Sequence, residues 1–120
     1  MKEIKAVIQP LRLEQLRQAF RKIPDFPGMT VSRAQGSGYH PDKPRRQGLR
    51  AELADYSEKV RIEIIARDEE VQSLVATIHR ICYTARPGDG VVWVTPVEEF
   101  RRMRTEPPEV AQQAALKNPA

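Results

Sequence analysis

The sequence predicts an α+β fold in which two helices cover one face of a four-stranded antiparallel sheet. The chain has 120 residues and a mass of 13.7 kDa, which corresponds to one domain. Hydrophobic residues make up 40% and charged residues 30% of it, a balance typical of a globular protein. The apolar pattern changes period in the order strand, helix, strand, loop, strand, helix, strand. This order is that of a βαββαβ ferredoxin-like sandwich.

The first strand–helix–strand unit lies between residues 4 and 34. Its first strand is predicted by apolar side chains at every second position: Ile4, Ala6 and Ile8. Its helix is predicted by apolar residues at spacings of three, four and three: Leu13, Leu16, Phe20 and Ile23. Pro10 is expected at the start of this helix and Pro24 beyond its end. Residues 29–34 form the second predicted strand.

The second unit begins at residue 60, where residues 60–66 alternate most clearly and predict a strand. A helix follows, with Asp68 as its expected cap and with Glu69 and Glu70 at its positive end. Its apolar positions have helical spacing: Val71, Leu74, Val75, Ile78 and Ile81. Residues 87–90 end this helix, and residues 91–94 form the last predicted strand.

The face of the sheet turned away from the helices is expected to be partly apolar. By alternation it carries Val7, Glu63 and Ile65. Such a surface is too apolar to remain in water. We therefore expect the chain to associate with copies of itself in a closed symmetric oligomer.

A basic stretch at residues 39–50 separates the two units. The net charge of the whole chain is only +4, but here four basic residues face one acidic residue. The basic residues are Lys43, Arg45, Arg46 and Arg50. Two prolines and a glycine in the same stretch predict an exposed loop. The loop is either simply solvated or an arm that docks on an acidic or phosphate-bearing partner, and its sequence leaves both open.

Three places are candidates for binding an anion. In residues 84–90, two glycines flank Asp89 and let backbone N–H groups converge, although such a segment is often only a turn. Arg102 and Arg104 project to one side if their segment is extended, where phosphate suits them; the alternative is two surface arginines. The glycines of residues 36–38 permit close approach of a flat ligand, or give the loop base flexibility.

Catalysis and metal binding receive little support. Cys82 is the one cysteine, and we expect a buried structural thiol. His79 lies three residues away, but a structural metal site needs further ligands. With no nucleophile–base pair in evidence, the protein is not expected to be an enzyme.

Nucleic-acid and membrane functions are also disfavoured. Trp93 and Phe100 are single aromatics and do not make a base-stacking platform. The charged first ten residues are neither a signal peptide nor a spanning helix. We therefore expect a cytoplasmic protein that is not inserted in a membrane.

Several segments resemble, in order, the P-II signal-transduction (nitrogen regulatory) family. They are MKEIKAVIQPLRLEQLRQAF at the start, PGMTV at 27–31, GSG at 36–38, KVRIEI at 59–64, TARPGDG at 84–90 and FRRMRT at 100–105. The resemblance covers residues 1 to about 105. It implies a ferredoxin-like fold, a compact homotrimer, nucleotide sites in the clefts between subunits, and T-loops that dock on a target protein such as a membrane transporter.

The resemblance also implies binding residues. The adenine and ribose would be surrounded by Val7, Thr30, Gly36, Gly38, Glu63 and Ile65. The phosphates would meet Gly88, Asp89, Gly90, Arg102 and Arg104. The expected ligand is ATP or ADP, with AMP as a further candidate, and the presence of Mg²⁺ is open. His40 and Lys59 are candidate effector-binding residues, since Lys59 matches the lysine that holds 2-oxoglutarate in the family.

This sequence departs from the family pattern at several functional positions. His40 replaces the glutamine that helps hold magnesium and 2-oxoglutarate, and Gln47 replaces the tyrosine that is uridylylated in enteric members. Val91 replaces a phosphate-binding lysine, which should weaken ATP binding more than ADP or AMP binding. The alternative function is a P-II-like regulator of heavy-metal efflux or tolerance that binds a metal ion or another small effector, with His40 as its specific support.

The expected boundaries follow from the same resemblance. Residues 1–105 form the P-II-like domain, with the T-loop at 39–56, the B-loop at 84–91 and a phosphate-contacting segment at 101–106. Residues 106–120 form a tail that is expected to be a short helix or disordered.

Overall fold

A computed structural model of the chain describes residues 1–37 and 57–107. The strands are β1 (Lys2–Ile8), β2 (Thr30–Gly36), β3 (Ser57–Ala66) and β4 (Gly90–Pro96). The helices are α1 (Leu13–Arg21), which follows a 3-10 turn at Pro10–Arg12, and α2 (Asp68–Cys82). The strands pair antiparallel in the order β2-β3-β1-β4. The predicted ferredoxin-like βαββαβ sandwich is confirmed.

The core lies between the helices and one face of the sheet, which we call the covered face. Alternate residues of β1 and β3 form its floor: Ile4, Ala6, Ile8, Val60, Ile62, Ile64 and Ala66. The two helices cover this floor with buried side chains: Leu16 and Phe20 of α1, and Leu74 and Ile78 of α2. Each of these large apolar side chains contributes about 1.5–3 kcal/mol through burial, so this layer stabilises the fold.

The segment after α1 is held against the core by aromatic stacking. Phe26 lies parallel to the buried ring of Phe20, with ring centroids 4.5 Å apart. Ile23 and Met29 pack partly buried beside them. The helix ends before Pro24 as predicted, but it begins at Leu13, because Pro10 starts a tighter 3-10 turn instead.

The prediction that Asp68 caps α2 is wrong. The capping position is Arg67, whose backbone N–H donates to the Glu70 carboxylate at 3.1 Å. A hydrogen bond from the Arg67 side chain also lowers the pKa of Glu70. Asp68 instead accepts from the N-terminal amine at 3.0 Å, which lowers the pKa of Asp68 and ties the start of the chain to α2.

Three strands extend beyond the predicted limits, and β3 does so by beginning at Ser57 instead of residue 60. β2 runs to Gly36 instead of ending at residue 34, and it begins at Thr30 instead of residue 29. β4 begins at Gly90 and ends at Pro96 instead of spanning residues 91–94. In each case backbone pairing continues past the apolar residues, as at Gly36 of β2 opposite Ser57 of β3.

Several predictions fall outside the described residues. These are the T-loop at 39–56, Gly38, His40 and the fate of the tail from residue 108. Within residues 1–37 and 57–107, no helix has the length and apolarity needed to cross a membrane.

Candidate functional site

The second face of the sheet, which we call the open face, mixes charged and apolar side chains. Register places Val7 of β1 opposite Arg61 and Val91, and Glu63 of β3 opposite Thr30 and Lys5. Directly opposite residues share a face, so Val7, Glu63 and Ile65 lie together on the open face as predicted. Trp93 is 40% exposed and Val91 is 61% exposed there. Partly exposed ion pairs of neighbouring residues lie between the apolar side chains.

At one end of the sheet, a turn at residues 83–89 connects α2 to β4. The Asp89 carboxylate accepts hydrogen bonds from the Thr84 backbone N–H at 2.6 Å and from the Thr84 hydroxyl. These bonds, together with those from the N–H groups of Ala85 and Arg86, lower the pKa of Asp89. The anion served by these N–H groups is therefore the chain's own Asp89 carboxylate, which organises the turn from inside.

The two glycines of this turn have different structural roles. Gly90 has φ +113°, and a β-carbon there would lie 2.0 Å from the Val7 carbonyl oxygen. Only glycine fits where β4 begins against β1. Gly88 has φ +91°, but the nearest atom to a β-carbon there would be the Lys59 Nζ at 3.7 Å. Gly88 is therefore required by conformation rather than by space.

The Gly88 carbonyl oxygen is the meeting point of two side chains from other elements. The Lys59 ammonium donates to it at 2.7 Å, and the Gln9 side-chain amide donates at 3.2 Å. Lys59 is a predicted effector-binding residue, whereas Gln9 is not among the predicted site residues. The available signal for Gln9 was its place directly after β1, whose last residue pairs with Gly90.

A cavity of about 540 Å³, the first cavity, opens beside this turn. It brings together five of the predicted nucleotide-binding residues: Val7, Gly36, Gly88, Asp89 and Gly90. Lys59 and Arg86 add cationic groups, and Val91 and Trp93 add an apolar wall. Ser37 and Ser57, which flank residues 38–56, also line it.

A second cavity, of about 230 Å³, lies where β2 begins. It brings together four further predicted residues: Thr30, Glu63, Ile65 and Arg102. The Arg102 guanidinium stands over the Phe100 ring, 5.3 Å from its centroid. One chain thus separates the predicted site into two parts.

The segment that carries the two arginines is not extended, so the condition under which both would project to one side is not met. The Thr105 N–H donates to the Arg102 carbonyl at 3.0 Å, which closes a turn. Arg102 faces the second cavity, whereas Arg104 is exposed and lines neither cavity. Residues 101–105 follow β4 and lie in none of the described strands.

Cys82 is buried at the end of α2, as predicted, and burial raises the pKa of its thiol. His79 packs edge-on against Tyr83, with ring centroids 6.1 Å apart. Among residues 1–37 and 57–107, no group of three or more His, Cys, Asp or Glu side chains is placed to hold a metal ion. The proposed metal residue His40 lies outside those residues.

Comparison with known proteins agrees with this architecture. The family model of nitrogen regulatory protein P-II matches residues 1–107. Nitrogen regulatory protein P-II of Azospirillum brasilense is 34% identical over 105 residues, which cover 88% of this chain and 93% of that protein. The protein of the same description from Bradyrhizobium diazoefficiens is 36% identical over 112 residues, and that from Klebsiella oxytoca is 34% identical over 105, with the same coverage.

The P-II proteins are trimeric signalling regulators that interact with target proteins and are not enzymes. The sheet order, the glycine turn and the match along most of the chain agree with one another. This chain therefore belongs to the nitrogen regulatory protein P-II family.

Proposed function

We propose that this protein is a homotrimeric signalling regulator that binds an adenine nucleotide in the clefts between subunits and acts on a target protein through residues 39–56. The observation that carries the proposal is the division of the expected site between two cavities on one chain. A site divided in this way is completed only when the first cavity of one copy meets the second cavity of another.

The register of β3 supports a site that one chain does not complete. Lys59 lines the first cavity and Glu63 the second, and the Arg61 side chain lies between them on the same face. Four residues of strand separate the two cavities by about 13 Å. A contact between different surfaces of identical copies generates a ring when its rotation closes. A three-membered ring then contains three identical clefts.

The joined cavities have the chemistry of a nucleotide site. The first supplies the glycine turn with Lys59 and Arg86, and the second supplies Arg102. Guanidinium groups form strong, directional hydrogen bonds with phosphate. Apolar surface from Val7 and Ile65 suits a purine base. Since Val91 supplies no cation, the site favours ADP or AMP over ATP.

The residues that flank 38–56 suggest how nucleotide binding affects the interaction with the target protein. Ser37 and Ser57, the described residues on either side of 38–56, line the first cavity. A nucleotide bound there lies beside both flanking residues and, through them, alters how residues 39–56 meet the target. The basic residues of the loop suit an acidic surface on a transporter's cytoplasmic side or on an enzyme.

Calorimetry with AMP, ADP and ATP tests nucleotide binding. We expect micromolar binding, with a loss of about tenfold or more in Arg102→Ala because it removes a charge-assisted phosphate contact, and a smaller loss in Arg104→Ala because Arg104 lines neither cavity. Arg80→Ala, an exposed arginine of α2, is the matched control and leaves binding unchanged. Val91→Lys should raise ATP affinity relative to AMP. Absence of heat and of competition with all three nucleotides would refute the proposal.

Light scattering on the purified chain tests the assembly. The expected mass is three times 13.7 kDa. A monomer at all accessible concentrations would leave the two cavities unjoined and would contradict the proposed site.

A further inference from the structure

The contacts made by the glycine turn go beyond the direct role that the proposed function gives to Lys59. The carbonyl oxygen of Gly88 receives the Lys59 ammonium at 2.7 Å and the Gln9 amide at 3.2 Å. We call these three groups the Gly88 clamp. We propose that Gln9 and Lys59 are positioning residues that hold the glycine turn in its anion-binding orientation. This inference rests on the proposed nucleotide site for its ligand.

The clamp ties the turn to the sheet. The hydrogen bonds of Asp89 stay within the turn, because their donors are Thr84, Ala85 and Arg86. The clamp instead joins Gly88 to the end of β1 and to β3. Its two donors approach the same oxygen from different elements. The orientation of the turn relative to the sheet therefore depends on them.

The stem of Lys59 is itself held in place. A β-carbon built at Gly36 would lie 3.2 Å from Lys59 Cγ, so the stem packs closely over the Gly36 backbone. The Ser57 hydroxyl donates to the Gly36 carbonyl at 3.4 Å on the neighbouring pair. A packed stem places the ammonium at Gly88 with little loss of side-chain entropy on forming the bond.

The clamp matters because glycine peptides rotate readily. All peptide bonds in the described residues are trans, so the Gly88 carbonyl and the following Asp89 N–H point in opposite directions. Rotation of that peptide unit would exchange a donor for an acceptor at the anion site, and Gly88 at φ +91° has little steric resistance to it. Two donors on the carbonyl oxygen prevent this exchange.

A direct contact of Lys59 with phosphate and an indirect role through Gly88 predict different results. They differ in how the loss of affinity in a Lys59 variant depends on the number of phosphates in the nucleotide. If the Lys59 ammonium contacts phosphate, its loss costs more as the number of phosphates increases. If it acts through Gly88, its loss weakens AMP, ADP and ATP by the same factor. Gln9 gives the cleaner test, because its side chain lines neither cavity and reaches the site only through Gly88.

The experiment measures binding of the three nucleotides to Gln9→Met, Lys59→Met and the double variant by calorimetry. We expect each single variant to lower the affinity for all three nucleotides by the same factor. The factor should be about tenfold for Lys59→Met and smaller for Gln9→Met. The fold-loss of affinity in the double variant should be smaller than the product of the two single fold-losses, since both donors share one acceptor. Gln35→Met, whose amide bonds Glu58 instead, is the matched control.

Amide hydrogen exchange of the ligand-free trimer reads the clamp independently of any nucleotide. Faster exchange at residues 88–90 in both variants, with protection of β1 and β3 unchanged, supports the clamp; Lys59→Arg should restore it. Unchanged exchange at 88–90 overturns it, as does a Lys59→Met loss that increases with phosphate number while Gln9→Met binds normally. If wild type binds no nucleotide, the proposed function fails, and the exchange result still decides the clamp.

Discussion

The two faces of the sheet are built from the same strands but are completed in different ways. The covered face carries Ile4, Ile62 and Ile64, each essentially inaccessible to solvent within one chain. The open face carries Val7, Ile65 and Trp93 beside charged residues and is only partly buried. Alternating residues of one strand therefore serve two purposes. One set makes the fold, and the other is available for assembly and ligand binding.

This contrast explains where the candidate site lies. A buried, tightly packed face has no room for a ligand. Both cavities instead lie on or beside the open face, at opposite ends of β3. The covered face and the close backbone contact between β1 and β4 hold both cavities in place. We call these two features the frame. Perturbing the frame should unfold the chain, whereas perturbing the open face should separate the copies.

Gly90→Ala should have the largest effect, because it attacks this frame. The substitution combines a φ of +113° with a β-carbon 2.0 Å from the Val7 carbonyl oxygen. We expect a loss of about 3–6 kcal/mol in the free energy of unfolding, measured by urea denaturation. Gly28→Ala is the matched control, since Gly28 has φ +100° but open space around it. Its free energy of unfolding should fall only by the cost of backbone strain, about 1–3 kcal/mol. Equal losses would show that the contact with β1 is unimportant.

Ile62→Ala changes the covered face and Trp93→Lys changes the open face. Together they test whether one face stabilises the fold and the other the assembly. Ile62→Ala should lower the free energy of unfolding by about 2–5 kcal/mol without changing the mass of the folded assembly. Trp93→Lys places a charge on the open face and should leave a folded chain that dissociates, because the charge is buried when copies associate. Sedimentation over a wide concentration range measures both. A trimer unaffected by Trp93→Lys would argue against association through this face.

Asp89→Asn should have the smallest and most pH-dependent effect. Hydrogen bonds from Thr84 lower the pKa of Asp89 in the folded chain, so its ionised carboxylate favours folding at pH values above about 3.9, the ordinary carboxyl value. The difference in denaturation midpoint between wild type and Asp89→Asn should be present at neutral pH. It should disappear as the pH falls through the lowered pKa.

The outcome that would contradict this account is a difference that stays constant down to pH 2. Thr84→Val provides the control, because it keeps the carboxylate but removes the hydroxyl donor. The pH at which the stabilisation disappears should then move upward, toward the ordinary carboxyl range.

Most of the fold was predictable from the sequence because its signals are local. Alternation in β1 and β3 and the helical spacing of Leu16, Phe20 and Leu74 identified the elements and the core. Strand ends were less accurate, since β2 and β4 continue through polar residues that contribute only backbone pairing. The cap of α2 was missed because Arg67, not a usual capping residue, supplies it.

The arrangement of the candidate residues in two cavities was not predictable from the sequence. The resemblance supplied the residues, and Gly90 was identifiable as a turn glycine. That Lys59 donates to Gly88, and that Gln9 joins it, depends on a contact between residues 29 and 79 positions apart in the chain. The turn at Arg102, closed by a hydrogen bond from the Thr105 N–H, is likewise a feature that local spacing does not reveal.

By itself the sequence determined the order of elements, the covered face and the kinds of residue available to bind phosphate, because periodicity and residue chemistry are properties of neighbours in the chain. The tertiary structure alone decided that Val7 and Gly88 share one cavity while Glu63 and Arg102 share another. It also decided that the Gly88 carbonyl has two donors. These relations depend on strand register and on backbone contacts across the sheet, and a pattern of residues along the chain contains neither.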